Sequence, residues 1–169
     1  MQVLKIVCIF ASEISIWTIT MNKYNITPRK ENNAAYRSLV NPILMDELKE
    51  KILRIILLEK KYKEPHYSAK KLAQELGTNT RYISAVISVR FHTNYTSFIN
   101  KFRIEEAMAL MTDKRYKGLN MQDISAMVGF SNRQSFYSAF YKVNGITPLT
   151  YRKQQLKKTE EKKEKSINQ

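Results

Sequence analysis

The side chains able to carry out covalent or acid–base chemistry are few and far apart in this chain. A single cysteine, Cys8, excludes a disulfide framework and a thiolate metal cage. The two histidines, His66 and His92, are distant from each other in sequence and from any paired carboxylates. The four glycines stand singly, so the sequence offers no loop suited to cradling phosphates. We therefore expect no catalytic, metal or cofactor site, and we do not expect an enzyme.

Charge is the property that suggests a binding partner. The 169 residues include 29 basic and 15 acidic side chains, for a net charge of +14. Residues 46–152 alone hold 18 basic and 10 acidic side chains, so a net charge of +8 lies between the two ends of the chain. Such an excess is typical either of a protein that binds a polyanion or of a merely soluble surface. Charge alone leaves both interpretations open.

Residues 124–152 have the pattern of two short helices joined by a glycine turn. Gly129 can adopt the left-handed conformation that ends a helix. Ser131 is predicted to cap the second helix, with Gln134 completing a capping box. An apolar stripe then follows at helical spacing: Phe136, Ala139, Phe140 and Val143. The pattern predicts a helix-turn-helix whose second helix is polar on its outer face.

An earlier stretch repeats this plan without obvious sequence identity. An amphipathic helix over residues 46–61 comes first, and Pro65 marks its end. Ser68 is predicted to cap a short helix that ends at Gly77, and Asn79 is predicted to cap a second one. Between the two helix-turn-helix units, Thr96 or Ser97 is predicted to cap a helix that is apolar on more than one side. We expect that helix to be buried between two subdomains.

Two parts of the chain resemble the AraC/XylS family of bacterial transcription regulators. GFSNRQSFYSAF followed by YKVNGITPLTYR is similar to the family's C-terminal signature, in which GF, a Phe of the recognition helix, G-x-TP and YR recur. RYIS and NYTSFINKFRIEEAMALM are similar to its first recognition helix and linker helix. The resemblance covers about Met45 to Lys153. It implies an all-α, homeodomain-like fold of two helix-turn-helix subdomains joined by a long linker helix. It further implies that the protein binds double-stranded DNA and activates transcription with RNA polymerase as its partner.

The polar faces of the two second helices supply the candidate DNA contacts, because a recognition helix fits the major groove. Arg133 suits either a bidentate contact to guanine or a phosphate, and Gln134 suits either adenine or its capping role. Ser84 and Ser88 suit bases or phosphates, and Ala85 suits a thymine methyl. The full candidate set is Arg81, Ser84, Ala85, Ser88, Arg133, Gln134, Tyr137, Ser138 and Tyr141. The resemblance places all of these except Ser88 and Tyr141 at positions that face bases.

Three other basic residues have non-specific interpretations. Arg103, in an otherwise apolar helix, is predicted to form a structural salt bridge. Lys142 and Arg152 are interpreted either as phosphate contacts or as solvated charges.

The ends of the chain lie outside this domain. Residues 1–21 are apolar with Glu13 near their middle, and a membrane span, a signal peptide, a packing segment and the remnant of a longer protein are all compatible with them. Residues 22–44 are predicted to be a linker, whose basic residues would keep the domain in the cytoplasm if residues 1–21 spanned a membrane. Residues 154–169 are predicted to be a charged, disordered tail. With about 44 residues before the domain, we expect no small-molecule sensor in this chain.

The domain itself is predicted to occupy residues 45–153. The first helix-turn-helix is expected at about 68–89, the linker helix at about 97–111 and the second helix-turn-helix at about 121–143. The leading hypothesis is a sequence-specific DNA-binding regulator of transcription in the cytoplasm. The alternatives are a protein–protein interaction module and a non-specific nucleic-acid-binding protein built on the same helices.

Overall fold

The computed structural model describes residues 41–167, and the secondary structure over that range is entirely helical. The prediction of an all-α fold is confirmed. The seven α-helices are α1 (Pro42–Leu57), α2 (Ala69–Glu75), α3 (Thr80–Phe91), α4 (Tyr95–Thr112), α5 (Met121–Met127), α6 (Arg133–Asn144) and α7 (Pro148–Ile167). Short 3-10 turns, Lys61–Lys63 and Lys114–Tyr116, follow α1 and α4.

Helix α1 begins inside the predicted linker. Asn41 caps it by accepting a hydrogen bond from the backbone N–H of Ile43 at 2.9 Å, and Pro42 is its first residue. The helix therefore starts four residues before Asp46 and ends at Leu57 rather than near Lys61. The predictions for residues 1–21, and those for the linker before Asn41, lie outside the described residues.

Helix α4 is shared by two groups of buried residues. Its first half places Phe98 with its ring 4.7 Å from that of Phe91, which belongs to α3. Its second half contributes Ile104, Ala107, Leu110 and Met111 to a core completed by α5 and α6. Because the same helix fills both cores, it is buried between the two units as its apolar pattern predicts. Asn94, rather than Thr96 or Ser97, caps it through the backbone N–H of Ser97.

The second helix-turn-helix uses a different cap from the predicted one. Asn132 accepts from the backbone N–H of Ser135 at 2.8 Å, so Ser131 is not the cap and Gln134 completes no capping box. A capping box does form one helix earlier, between Asn120 and Asp123 at the start of α5. In the first unit, Ser68 and Asn79 are the caps of α2 and α3, as predicted.

The predicted disordered tail is instead part of a helix. Helix α7 runs from Pro148 to Ile167, so the region expected to be disordered from residue 154 continues the helix that carries Tyr151 and Arg152. Tyr151 anchors its first turns with a ring 5.5 Å from that of Phe140. Lys, Glu and Gln are good helix formers, and an anchored first turn removes the cost of nucleation for the residues that follow. None of the helices formed by residues 41–167 is long and apolar enough to cross a membrane.

Candidate nucleic-acid interface

The two helix-turn-helix units are built to one plan. Each begins with a seven-residue helix, α2 or α5, and continues with a twelve-residue helix, α3 or α6. Each turn contains a glycine with positive φ, +62° at Gly77 and +92° at Gly129. The residue after each glycine donates its N–H to a carbonyl five residues back, from Thr78 to Ala73 and from Phe130 to Ser125. The structural repeat predicted from pattern is therefore present.

One extra residue distinguishes the second turn. One residue separates Gly77 from the cap Asn79, whereas two separate Gly129 from the cap Asn132. Phe130, directly after Gly129, is buried, with its ring 5.4 Å from that of Phe136. The longer turn moves the cap one residue along, from the position of Ser131, which corresponds to Asn79 in the first turn, to Asn132.

Helix α3 exposes a narrow polar strip. Arg81 and Ser84 are exposed, and Ser88 is half-buried. Ala85 is 0% exposed, so the prediction that it faces a thymine methyl is wrong for this structure. The reason is packing, because α3 lies against α1, α2 and α4 and most of its surface is covered. Thr80, the first residue of α3, is exposed beside Arg81, and sequence reasoning omitted it.

Helix α6 exposes a wider strip than α3. Arg133, Gln134, Ser138 and Tyr141 are all exposed, and Tyr141 retains 60% of its surface. Tyr137 on the same strip is half-buried, with its ring 5.9 Å from that of Phe136. Because Asn132 holds the cap, Gln134 has no part in capping and its amide stays on this exposed strip. The structure thus brings the five predicted residues of the second unit together on one helix.

Arg133 is pre-oriented by its neighbour one turn along. Its Nη2 donates to the Tyr137 hydroxyl at 3.1 Å, and its guanidinium lies 4.9 Å from the centre of the tyrosine ring. Such stacking limits the rotamers of a long side chain and leaves the remaining guanidinium donors available. Arg133 also lines a depression of about 440 Å³ with Asn120, Met121, Gln122, Leu149 and Arg152.

Arg103 and Arg152, which both lie outside the recognition helices, have structural roles. Arg103 donates from Nε to the carbonyl of Tyr62 at 2.6 Å and from Nη2 to that of Glu64 at 3.0 Å. It is therefore structural as predicted, but it binds backbone carbonyls instead of a carboxylate. Arg152 donates to the carbonyls of Leu119 and Lys117, both at 2.5 Å, which favours neither of its predicted interpretations. Lys142 is exposed in α6.

Three ionisable groups with shifted pKa values belong to the scaffold. Burial lowers the pKa of the Arg103 guanidinium. Burial acts to raise the pKa of Glu106, but hydrogen bonds from Lys63 and Tyr62 outweigh it and hold that pKa below its usual range. Burial, followed by the Glu106 charge, raises the pKa of the Tyr62 phenol. All three groups lie where α4 meets residues 60–64 and not on the exposed strips of α3 and α6.

Known proteins share the sequence pattern and the fold of this domain. Residues 72–154 match the helix-turn-helix domain family, a range that includes nearly all of both units. The C-terminal domain of the two-component response regulator yesN from Fusobacterium nucleatum is similar at 27% identity, with a TM-score of 0.56 over 63% of this chain and 98% of that one. The chain therefore carries a helix-turn-helix DNA-binding domain of the kind found in transcription regulators. More narrowly, this domain is of the AraC type, as the sequence resemblance implied.

Two further relatives agree in fold or sequence. A transcriptional regulator with an AraC-type DNA-binding domain from Chromobacterium violaceum shares the fold at 23% identity, with a TM-score of 0.54 over 68% of this chain and 96% of that one. YtdP of Bacillus subtilis, an uncharacterized HTH-type transcriptional regulator, is 24% identical over 91 residues, or 54% of this chain. The chain spans only 11% of the length of YtdP.

Proposed function

We propose that this chain is a sequence-specific regulator that places α3 and α6 in successive major-groove segments of one DNA duplex and activates transcription. The observation that supports this most directly is the pair of twelve-residue helices, each with an exposed polar strip, mounted on one shared helix. Two recognition helices about one DNA turn apart, roughly 34–36 Å, would read one face of the duplex. A single chain would then make the two contacts for which other regulators dimerise.

The second unit is proposed to carry most of the sequence choice. Its exposed strip holds a guanidinium, an amide and three hydroxyl-bearing side chains, all of which match hydrogen-bonding patterns of base edges. With Ala85 buried, the first unit offers Arg81, Ser84 and Thr80, and Ser88 only in part. Arg81 is its strongest candidate for a base contact.

The test begins with selection of bound duplexes from a random pool. Affinity for the selected duplex and for a scrambled one would then be measured at two salt concentrations. A specific regulator keeps a large ratio between the two affinities as salt rises, whereas a non-specific binder loses affinity for both alike. Absence of any duplex binding near physiological salt would refute the proposal and favour a protein–protein interaction module.

Activation needs a separate measurement. The selected site would be placed upstream of a promoter, and transcripts made by purified bacterial RNA polymerase would be counted with and without the protein. We expect more transcript with the protein present. A decrease would show that the regulator represses from that position, and no change would remove RNA polymerase as a partner under these conditions.

A further inference from the structure

The second unit meets the first half of the chain at a second place besides the linker helix. The turn of the second unit lies against the segment that follows α1. A Cβ atom added to Gly129 would lie 2.7 Å from the carbonyl oxygens of both Tyr62 and Lys63. Real Cβ atoms essentially never come that close to backbone oxygen, so this approach requires glycine.

Arg103 ties the same two segments together from within α4. Its side chain is buried, with the residue 9% exposed, and it donates to the carbonyls of Tyr62 and Glu64. On its other side, the guanidinium lies 5.4 Å from the centre of the Phe130 ring. Phe130 directly follows Gly129 and packs on Phe136 of α6. Arg103 therefore connects the segment that follows α1 to the base of the second recognition helix.

Glu106 lies one turn further along α4, and its carboxylate binds side chains of the same segment. It accepts from Lys63 Nζ at 2.6 Å, from the Tyr62 hydroxyl at 3.1 Å and from Lys60 Nζ at 3.5 Å. Two points on α4 thus hold residues 60–64, and Gly129 meets that segment from the second unit. An attachment beside the connecting helix would restrain bending and twisting between the two halves of the domain.

We propose that Tyr62, Lys63, Arg103, Glu106 and Gly129 form a junction that sets the spacing and angle between α3 and α6. This inference rests on the proposed function in one respect, that α3 and α6 both contact DNA. Arg103 is then a positioning residue that touches no base, yet it determines how many base pairs must separate the two contacted DNA elements. Loss of the junction should relax that requirement.

The first test measures the orientation without DNA. In the full chain, Cys8→Ser removes the native thiol, and Ser84→Cys with Ser138→Cys places a spin label on each recognition helix. Pulsed electron paramagnetic resonance then gives the distribution of distances between the labels. We expect one narrow distribution for the parent protein and a broader or shifted one for Arg103→Met. A broad distribution in the parent, or an unchanged one in folded Arg103→Met, would overturn the proposal.

Arg152→Met is the matched control. Arg152 also donates to several backbone carbonyls, but all of them lie between α4 and α5, next to the second unit and away from residues 60–64. Its loss should lower stability without altering the distance distribution, and equal broadening in both variants would contradict a special role for Arg103. If Arg103→Met fails to fold, Glu106→Gln decides the matter, because it keeps the side-chain shape and weakens the ion pairs with Lys60 and Lys63. Its distribution must then broaden.

The second test uses DNA. Inserting one base pair between the two contacted elements rotates the second by about 36°. We expect the parent protein to lose affinity by about tenfold or more, a loss similar to that of a poor base match. Arg103→Met should bind the original site more weakly but lose less on insertion. Equal losses of affinity for both proteins would refute the junction. If the parent protein binds no duplex, the proposed function is refuted, and the distances between the spin labels alone test the junction.

Discussion

Arg133 occupies the first position of α6 with its guanidinium against the Tyr137 ring, so its side chain is held at the edge of the exposed strip. Held there, it can reach either a guanine edge or a phosphate, and the two contacts differ in what a substitution would change. A base contact affects one position of the site, while a phosphate contact affects all sequences.

We predict that Arg133→Ala weakens binding to the selected duplex by about 1–3 kcal/mol and relaxes the choice at one base pair. The measurement is a set of affinities against duplexes that vary one position at a time. Arg115→Ala is the control, because Arg115 is exposed, paired with Asp113 and outside both recognition helices. A uniform loss over all duplexes would instead make Arg133 a phosphate contact.

Capping residues provide a sharp residue-scale test of the second turn. Asn132→Ala removes the acceptor of the Ser135 N–H and should lower the free energy of unfolding by about 1 kcal/mol. Ser131→Ala, next to it and exposed, should change that free energy by less than about 0.5 kcal/mol. Urea unfolding of both variants distinguishes them, and the reverse order would restore Ser131 as the cap.

At the scale of elements, the two turns differ in their surroundings. Gly77 and Gly129 both have positive φ, but a Cβ atom would meet nothing within 4 Å at Gly77 and two backbone oxygens at Gly129. Gly77→Ala should therefore cost only the left-handed conformation, about 1–2 kcal/mol. Gly129→Ala should cost clearly more, since backbone cannot move aside as a flexible side chain does. Similar losses in thermal or urea unfolding would show that the segment at Tyr62–Lys63 yields easily.

The helices and their inner faces could be predicted from the sequence, because periodic apolar residues such as Ile83 and Phe136 report their own burial. Features that depend on a distant segment could not. Alanine occurs both on surfaces and in cores, so the residue type alone does not predict whether Ala85 is exposed. Ala85 is buried because three helices pack around α3. Likewise, the sequence favours a carboxylate partner for Arg103, and only the fold shows that the carbonyls of Tyr62 and Glu64 accept its hydrogen bonds.

At the scale of the whole molecule, helix α7 extends the basic surface beyond the two units. Lys157 and Lys158 are exposed, and residues 157–169 carry five lysines and three glutamates. Their field would attract any duplex whatever its sequence.

We predict that truncation after Leu156 weakens binding to scrambled duplex and makes the dependence of log affinity on log salt shallower by about 1–2. The preference for the selected site over the scrambled one should rise slightly. Thermal stability should hardly change, because Leu156, the last residue kept, is already 38% exposed. Salt titrations of both proteins on both duplexes provide the measurement. A loss confined to the selected duplex would place α7 in sequence recognition.

The contact between Gly129 and the Tyr62–Lys63 carbonyls also limits how such domains can be recombined. The halves look like interchangeable modules, since each has its own cap, turn and recognition helix. Consider a hybrid that joins residues 41–112 of this chain to the second half of a relative. Its Tyr62 and Lys63 carbonyls leave no room for a side chain at the position that corresponds to Gly129. Such hybrids should fold only when the incoming turn supplies glycine there, so the halves are inherited as a matched pair.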